Sequence, residues 1–554
     1  MFVGEVWRFA LNPSRIETLV VRVFFSVILG IAIIAASAIG VSQPAQALPS
    51  FARQTGQPCG TCHTDYPALT PYGRLFKLNG YTTGGGRFRT TIFPSWGNPD
   101  KALAAYAKKT NAGDGATLSG QPDSSNTWVP PLALMEVYGY THTQKDQVGL
   151  PPFTAQDMPG LSPYHANDNV NNVQLSFFYG GAITEHTGLF SQVTYGNASP
   201  GGSALDPGTG TAPIPNHPCW NCEWSWDNTD FRYANTGTLG GMDVIYGITA
   251  NNNPTVQDPW NTVPAWTFPY MTSNVAPGPS AATQIDGAYS GYVGGVGGYA
   301  FIDNLVYLEV SAYRTLDYKT LPKLGLDPFG MPGPFAGWAP YWRVAVEPHW
   351  GRNWFEFGAF GIFEKVHSWT GADSNGDGTG NLLPQTFPQT DKYTDVAFDS
   401  QYQYQGDNYW VTLRGTYIHE KQKLDGLFNN SSLGFNGAYN PTNTLNTLRA
   451  YASLAYGNDN RIVLSGQYFD TWGSSDPLLY ASLNSCALTA NCSPNTKGYV
   501  AEIDYIPFVT SKSPIWPWAN TKIGLQYTYY TKFDGTTAYA HDNNTLFLHA
   551  WFAM

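Results

Sequence analysis

From Leu132 to the end of the chain, apolar and polar residues alternate in segments of about 10–14 residues. A period of two sends successive side chains to opposite faces of an extended strand. Sixteen such segments are legible: 132–144, 170–183, 188–197, 227–235, 240–251, 290–302, 304–316, 338–349, 352–365, 393–405, 408–421, 443–457, 460–471, 496–507, 520–532 and 543–554. Their connections alternate in length. Glu185-His186-Thr187, Asp303-Asn304, Gly351-Arg352, Gly406-Asp407-Asn408 and Gly457-Asn458-Asp459 are short turns, and stretches of about 20 to 40 residues lie between them. The last two connections fit this alternation less clearly. Short turns on one side and long loops on the other are the plan of an outer-membrane barrel. The pattern therefore predicts an all-β fold, a 16-stranded antiparallel transmembrane barrel over 131–554.

Face parity gives the same result. Asp395, Asp399, Gln401 and Gln403 share one face of their segment, and Val396, Phe398, Tyr402 and Tyr404 share the other. Thr412, Arg414, Thr416 and Glu420 oppose Val411, Leu413 and Tyr417, and in the last segment Leu546, Leu548 and Phe552 alternate with His549 and Trp551. Lipid takes the apolar face, so the polar face lines a lumen. By parity Glu136, Asp243, Glu356, Glu420, Glu502 and Asp504 point into that lumen, balanced by Arg232, Arg343, Arg414 and Arg449. Sixteen strands are expected to leave a wide aqueous channel.

The N-terminal part lacks the alternation. Residues 1–47 read as an export signal: Arg8, Arg15 and Arg22, the apolar run Val23 to Ala36, and Ala45-Gln46-Ala47 as a cleavage site. Residues 96–130 are a linker dense in Gly, Pro, Ser and Asn, with one short helix expected over Pro99 to Lys109. Between them, 48–95 carries Cys59-Gly60-Thr61-Cys62-His63, the attachment motif of a c-type haem. Two thiols at this spacing reach the two vinyl groups, and His63 follows as the proximal ligand of the haem iron. After the motif, Thr70 is placed to cap a short helix with Pro71 at its first position, and Asn79-Gly80 to end it. A segment of about 45 residues cannot build its own core. The haem must supply much of the interior, and without it the segment is expected to be disordered.

Composition changes the picture in two ways. Charged residues are 12% and aromatics 15%, with Gly 58 and Tyr 35, which suits turns and girdles. The net charge of −11 argues against nucleic acid as a partner and is compatible with cations. The six cysteines fall into close pairs, with Cys219–Cys222 and Cys486–Cys492 read as loop disulfides. Asp373-Ser374-Asn375-Gly376-Asp377-Gly378 resembles the start of a calcium loop, but Pro384 stands where the bidentate acid belongs, so a solvated turn is favoured.

Phe51-Ala52-Arg53-Gln54-Thr55-Gly56 before the haem motif, then Leu69-Thr70, Tyr72-Gly73-Arg74 and Phe76-Lys77-Leu78-Asn79-Gly80-Tyr81-Thr82, closely resemble the fused monohaem cytochrome–porins of the outer membrane of iron-oxidising bacteria. The match covers about 35 residues, with the barrel agreeing in architecture only. The resemblance implies one covalent haem c, extracellular Fe(II) as electron donor, and a periplasmic c-type cytochrome or copper protein as acceptor. It implies an Fe(II)-oxidising electron-transfer protein set in outer-membrane lipid. Outward electron flow to an extracellular acceptor, or a solute porin with a haem-containing plug, are the alternatives.

Between Leu48 and Pro131 there is no methionine and His63 is the only histidine. A sixth ligand of Met or His type therefore cannot come from the haem segment itself, which leaves an open or water-bound sixth position, a Lys or amine ligand, or a ligand contributed by the barrel. The candidates are Met135, His142, Met158, His165, Met242, Met271 and Met331. Parity puts His142 with Glu136, Tyr138 and Tyr140 on the lumen face and Met135 opposite. Ligation from the barrel requires the haem to sit inside the lumen.

Overall fold

The computed structural model describes residues 49–55, 57–82, 131–145, 167–195, 224–326, 328–373, 382–430, 437–480 and 492–554. The export signal, the linker and its helix, Cys219, Cys222, Cys486, Met158, His165 and positions 374–378 lie outside the described residues. Sixteen antiparallel strands form one closed sheet. In chain order they are β1 (Leu132–Thr143), β2 (Asn169–Ala182), β3 (Thr187–Tyr195), β4 (Trp224–Leu239), β5 (Met242–Asn251), β6 (Val293–Ile302), β7 (Val306–Thr315) and β8 (Ala339–Val346). The second half is β9 (Asn353–Asp373), β10 (Leu382–Gln405), β11 (Tyr409–Lys423), β12 (Thr442–Tyr456), β13 (Arg461–Gly473), β14 (Thr496–Ile506), β15 (Asn520–Lys532) and β16 (Thr545–Ala553). His349–Trp350 continues β8 in the same register beyond Pro348, a residue with no N–H for the ladder. Each strand pairs with its sequence neighbours, and β16 pairs back onto β1, from Met135↔Ala553 to Thr143↔Thr545. No edge remains, so every strand's backbone can be satisfied within the wall, as lipid demands.

All sixteen segments read from the alternation are strands. The largest departure is the β9–β10 hairpin, which runs well past 365 and starts before 393. The short connections all fall at one end. Two of them show why they are tight: Gly240-Gly241 and Asp303-Asn304 take positive φ at both central positions, the geometry that matches strand twist. The connection 507–519, whose place was unclear from the sequence, also lies on the short-turn side.

Val170, Phe177, Ile248, Val310, Phe357, Phe398, Leu464 and Ile503 are exposed on the outer face. Their neighbours Asp395, Asp399, Gln403, Thr412 and Glu420 are buried inside. An apolar exterior around a polar interior is the arrangement of a membrane barrel of the outer-membrane porin type.

Strand β1 departs from the expected parity. Met135, Val137, Thr141 and Thr143 are buried on the lumen side, and Tyr138 is exposed on the outer face. Glu136 and His142 are thus outward: Glu136 accepts from Asn172, and His142 pairs with Asp168 at 2.9 Å. The polar side of a strand marks the lumen where its inner partners are polar. Beside β1 they are the apolar side chains of segment 49–82 and neighbouring strands, so that strand's inner face is apolar.

Two pieces of chain fill the barrel. The first is the segment 49–82, with α1 (Pro49–Thr55), α2 (Cys59–Cys62) and α3 (Pro71–Leu78). Thr70 accepts from Gly73 N–H at the start of α3, Pro71 is its first residue, and Asn79 with left-handed Gly80 ends it. Every residue of α3 is buried, although the segment has no core of its own. Tyr72, Leu75, Phe76, Leu78 and Tyr81 share a cluster with Val137, Phe178, Phe190, Ile245 and Tyr299 of the wall. Backbone meets backbone closely: a Cβ on Gly188 of β3 would overlap the Gly80 carbonyl. Gly188→Val is therefore expected to unseat the segment, read as faster proteolysis within 49–82 while the heat-modifiable gel mobility of the barrel persists.

The second piece is the β5–β6 connection, residues 252–292, which folds inward. Thr262 donates to Asp399, and its carbonyl accepts from Thr416 at 2.5 Å. Tyr270 meets Arg414, and Ile285 N–H reaches Asp395 at 2.9 Å. The anticipated open channel is thus occupied. Burial of Val256, Trp260, Val263 and Phe268, all nearly inaccessible, offsets the conformational entropy lost on ordering a connection of this length.

Candidate functional site

Cys59, Cys62 and His63 sit on the first, short-turn half of the lumen. Gly60 N–H donates to the Val509 carbonyl of the 507–519 turn at 3.1 Å, and Arg461 of β13 donates to the carbonyls of His63 and Thr64 at 2.7 and 3.0 Å. A Cβ on Gly73 would overlap the Cys62 carbonyl, so α3 packs directly on the motif. The other attachments ring the barrel. Arg53 donates to Leu132 O, Gln54 to Gly180 O, and Leu69 N–H to Asn261. Arg74 pairs with Glu347 at 3.1 Å and donates to Gln403. Asn520 donates to Tyr66, and Lys522 pairs with Asp65 at 3.3 Å.

The far wall is held by charge. Arg232 and Asp230 of β4 form a fully buried pair at 2.7 Å, Tyr81 donates to Asp230 at 2.6 Å, and Arg232 donates to the Lys77 carbonyl. Lys77 donates to the Val256 and Asp258 carbonyls and stacks on Trp266. One network therefore ties segment 49–82 to both the strand wall and the inward connection. Removing one partner of a buried pair leaves an unmatched charge, typically at a cost of about 3–5 kcal/mol. Arg232→Met is expected to lower the thermal unfolding temperature of the purified barrel clearly, whereas Arg352→Met, on a solvent-exposed pair, is expected to leave it unchanged.

The motif faces a cavity of about 510 Å³. Its walls include Cys59, Cys62, His63, Phe51, Phe76 and Tyr81 from the segment, Met135, Phe178 and Phe190 from β1–β3, and Trp266 and Met271 from the inward connection. The volume is within the usual range for a small-molecule or cofactor site, roughly 300–1,000 Å³. Cys59 and Cys62 are free thiols, not a disulfide. Burial pushes the Cys62 thiol up to about 12 and raises Cys59 as well, so neither is a reactive surface thiolate. Burial pushes His63 down to about 4, which leaves a neutral imidazole able to donate a lone pair. Its Nδ1 has no hydrogen-bond partner: the Pro67 and Ala68 carbonyls lie beside the ring without reaching hydrogen-bond geometry. Two thiols and one imidazole on the wall of one largely apolar cavity are the donor set that a covalently attached haem requires.

The structure separates the sixth-ligand candidates. Met135 and Met271 both line the cavity. His142 is on the outer face, Met242 is exposed beside the Gly240-Gly241 turn, and Met331 packs with Phe335 and Tyr341 in a different cluster. Cys492 is disulfide-bonded. The lumen acids divide likewise. Glu356, Glu420, Glu502 and Asp504 are buried inward as parity anticipates, and Asp243 is half-buried at the end of β5.

Several site residues carry no signal of their own in the sequence. Trp266, Lys77, Lys522 and Arg461 matter because the fold brings them to the motif. A buried basic residue at lumen parity was the only available hint.

No family model matches the chain, and no curated protein matches it. Among solved structures it is similar to in-vitro folded OmpT, an outer membrane protein of Vibrio cholerae, at 8% identity and TM-score 0.35, over 76% of this chain and 96% of that one. It is also similar to Pseudomonas putida OprB at high pH, at 11% identity and TM-score 0.36, over 76% and 93%. Salmonella typhi OmpF in complex with daunomycin matches at 12% identity and TM-score 0.36, over 76% and 97%. The assignment to membrane barrels comes from the closed sheet and its outward apolar belt, not from these distant likenesses.

Proposed function

We propose that this chain is an outer-membrane electron-transfer cytochrome. It takes electrons from extracellular Fe(II) through one haem c held by Cys59, Cys62 and His63 and passes them to a periplasmic c-type cytochrome or copper protein. The observation that carries the reading is the placement of the C-x-x-C-H motif inside the barrel, facing an apolar cavity sized for a cofactor. The haem would supply reversible one-electron chemistry. The chain's part is to exclude water with Phe51, Phe76, Phe178, Phe190 and Trp266, and to hold the neutral His63 ring in place.

Placement matters because electron transfer weakens steeply with distance, and the apolar band of such a barrel is about 25 Å tall. A haem within the lumen shortens the path from the long-loop side. The short turns and the motif share one end, which is the periplasmic end by the usual plan of such barrels. The donor and the inward direction of flow rest on the family resemblance. The solute-porin alternative is disfavoured by a lumen filled with segment 49–82 and residues 252–292. The test is spectroscopic: Fe(II) added to the oxidised full-length protein in detergent is expected to produce the reduced haem spectrum. A covalent haem that dithionite reduces but Fe(II) does not, at any working pH, would exclude Fe(II) as donor.

Among the described residues, Met135 and Met271 are the methionines that line this cavity. Met135→Leu combined with Met271→Leu is expected to convert a low-spin haem to high-spin, with loss of the sulfur-to-iron charge-transfer band. An unchanged low-spin spectrum in the double variant would rule out Met135 and Met271 as ligands.

A further inference from the structure

We infer that Glu502, Asp504 and His549 form a binding site for a first-row divalent cation beside the haem cavity. That this cation is the donor Fe(II) rests on the function proposed above; the site itself does not.

The register of three strands creates the arrangement. Glu502 and Asp504 are two residues apart on β14 and share its lumen face. Asp504 is directly opposite Gly524 of β15, and Gly524 is directly opposite His549 of β16. A side chain at the middle position would fill the space: a Cβ on Gly524 would overlap both His549 Nε2 and Asp504 Oδ1. Glycine leaves a gap in the wall lining, with a carboxylate on one side and an imidazole on the other. His549 Nε2 is 3.2 Å from Glu502 Oε1 and 3.9 Å from Asp504 Oδ1, and one ligand atom from each of the three residues falls within 4.8 Å of the others. All three are buried.

Two further observations point to a ligand. Asp504 is fully buried, and its Oδ1, the atom facing the gap, has no hydrogen-bond partner. A buried carboxylate oxygen without a partner is costly, and a cation would resolve that cost. Three acids also converge on one ammonium. Lys522 Nζ is 3.4 Å from Asp504 Oδ2, 3.7 Å from Glu502 Oε1 and 3.3 Å from Asp65 Oδ1. A cation in the gap would give Glu502 and Asp504 a second positive partner. Carboxylate and imidazole donors suit Fe(II) and Mn(II) better than soft ions.

The site is joined to the haem cavity through side chains already described. Lys522 lines that cavity, and its partner Asp65 is two residues beyond His63. Gln526 donates to Glu502 Oε2 at 2.7 Å and to the Met271 carbonyl at 2.9 Å. An Fe(II) held here would give one electron to the oxidised haem and become Fe(III), with no bond made or broken beyond its own coordination.

Mn(II), which a haem of this type does not oxidise, serves as probe for the intact protein in detergent. Bound Mn(II) is counted by electron paramagnetic resonance in wild type, His549→Gln, Asp504→Asn and Gly524→Ala, with heat-modifiable mobility confirming each barrel. Wild type is expected to hold one more Mn(II) than each variant, or to hold it at least about tenfold more tightly. The Gly524 variant keeps every ligand and closes only the gap. Equal Mn(II) binding in wild type and all three folded variants would overturn the site. Covalent haem is measured on the same samples. Absent haem with a retained Mn(II) difference would defeat the proposed function and leave the site standing. If both hold, the variants should be reduced more slowly by Fe(II) and equally fast by dithionite.

Discussion

Replacing Cys59 and Cys62 together by Ala is expected to remove the covalent haem band from a denaturing gel and the haem spectrum from the purified protein. The reasoning starts from what the thiols do in the fold. They are free, half-buried and not paired with each other, so no disulfide is lost. Neither takes part in the strand ladder, so the barrel should still form and keep its heat-modifiable mobility. Segment 49–82 depends on the lumen wall for its core and on whatever fills the cavity of about 510 Å³. With that cavity unfilled, Phe51, Phe76 and Tyr81 lose contacts on one side, which costs packing energy in proportion to the void. The double variant should therefore also show faster proteolysis within 49–82. A haem band of undiminished intensity would show that the motif does not attach haem, and the electron-transfer reading would fall with it.

The other large effect concerns conduction. A bilayer holding the wild-type protein is expected to show far less current than an open sixteen-stranded porin. Excising residues 256–286 and closing the gap with a short Gly-Ser linker is expected to raise the conductance by about tenfold or more. The connection holds its place by contacts spread around the wall. Thr262 engages Asp399, Tyr270 engages Arg414, and Asp286 pairs with Arg449 at 2.7 Å. Near β15 and β16, Gln526 holds the Met271 carbonyl, and Ser280 donates to Asp534. So distributed an attachment does not gate by one hinge. It stoppers the lumen above segment 49–82 as a fixed part of the core. Wild-type current equal to that of an open porin would restore the solute-porin alternative. The excision also removes Trp266 and Met271 from the cavity beside His63, so a changed spectrum of the proposed haem is an expected companion result.

The strand pattern was the most legible feature because lipid outside and polar groups inside impose opposite chemistry on alternate residues. Asp395, Asp399 and Gln403 inside, with Val396, Phe398 and Tyr402 outside, could be assigned without coordinates. The same rule failed on β1 for a definable reason. Met135 and Val137 face Phe76 and Phe178 rather than water, and His142 faces outward toward Asp168. Parity reports the contrast between two faces and cannot say which face meets protein. The 252–292 connection was legible only as a long loop. Its Trp260, Phe268 and Met271 are unusually apolar for a solvated loop, and that composition was the one available sign that it folds inward.

The sequence by itself determined the attachment motif, the sixteen strands, the side on which the short turns lie, and the absence of any methionine or second histidine near His63. Those are local properties, set by residue spacing and by a period of two. Only the tertiary structure decided that segment 49–82 sits within the lumen, that Met135 and Met271 share its cavity, and that Gly524 leaves Asp504 and His549 facing one another. The first two depend on barrel closure, which brings together residues more than a hundred positions apart, and the third on the register of three neighbouring strands. No period in the chain encodes that.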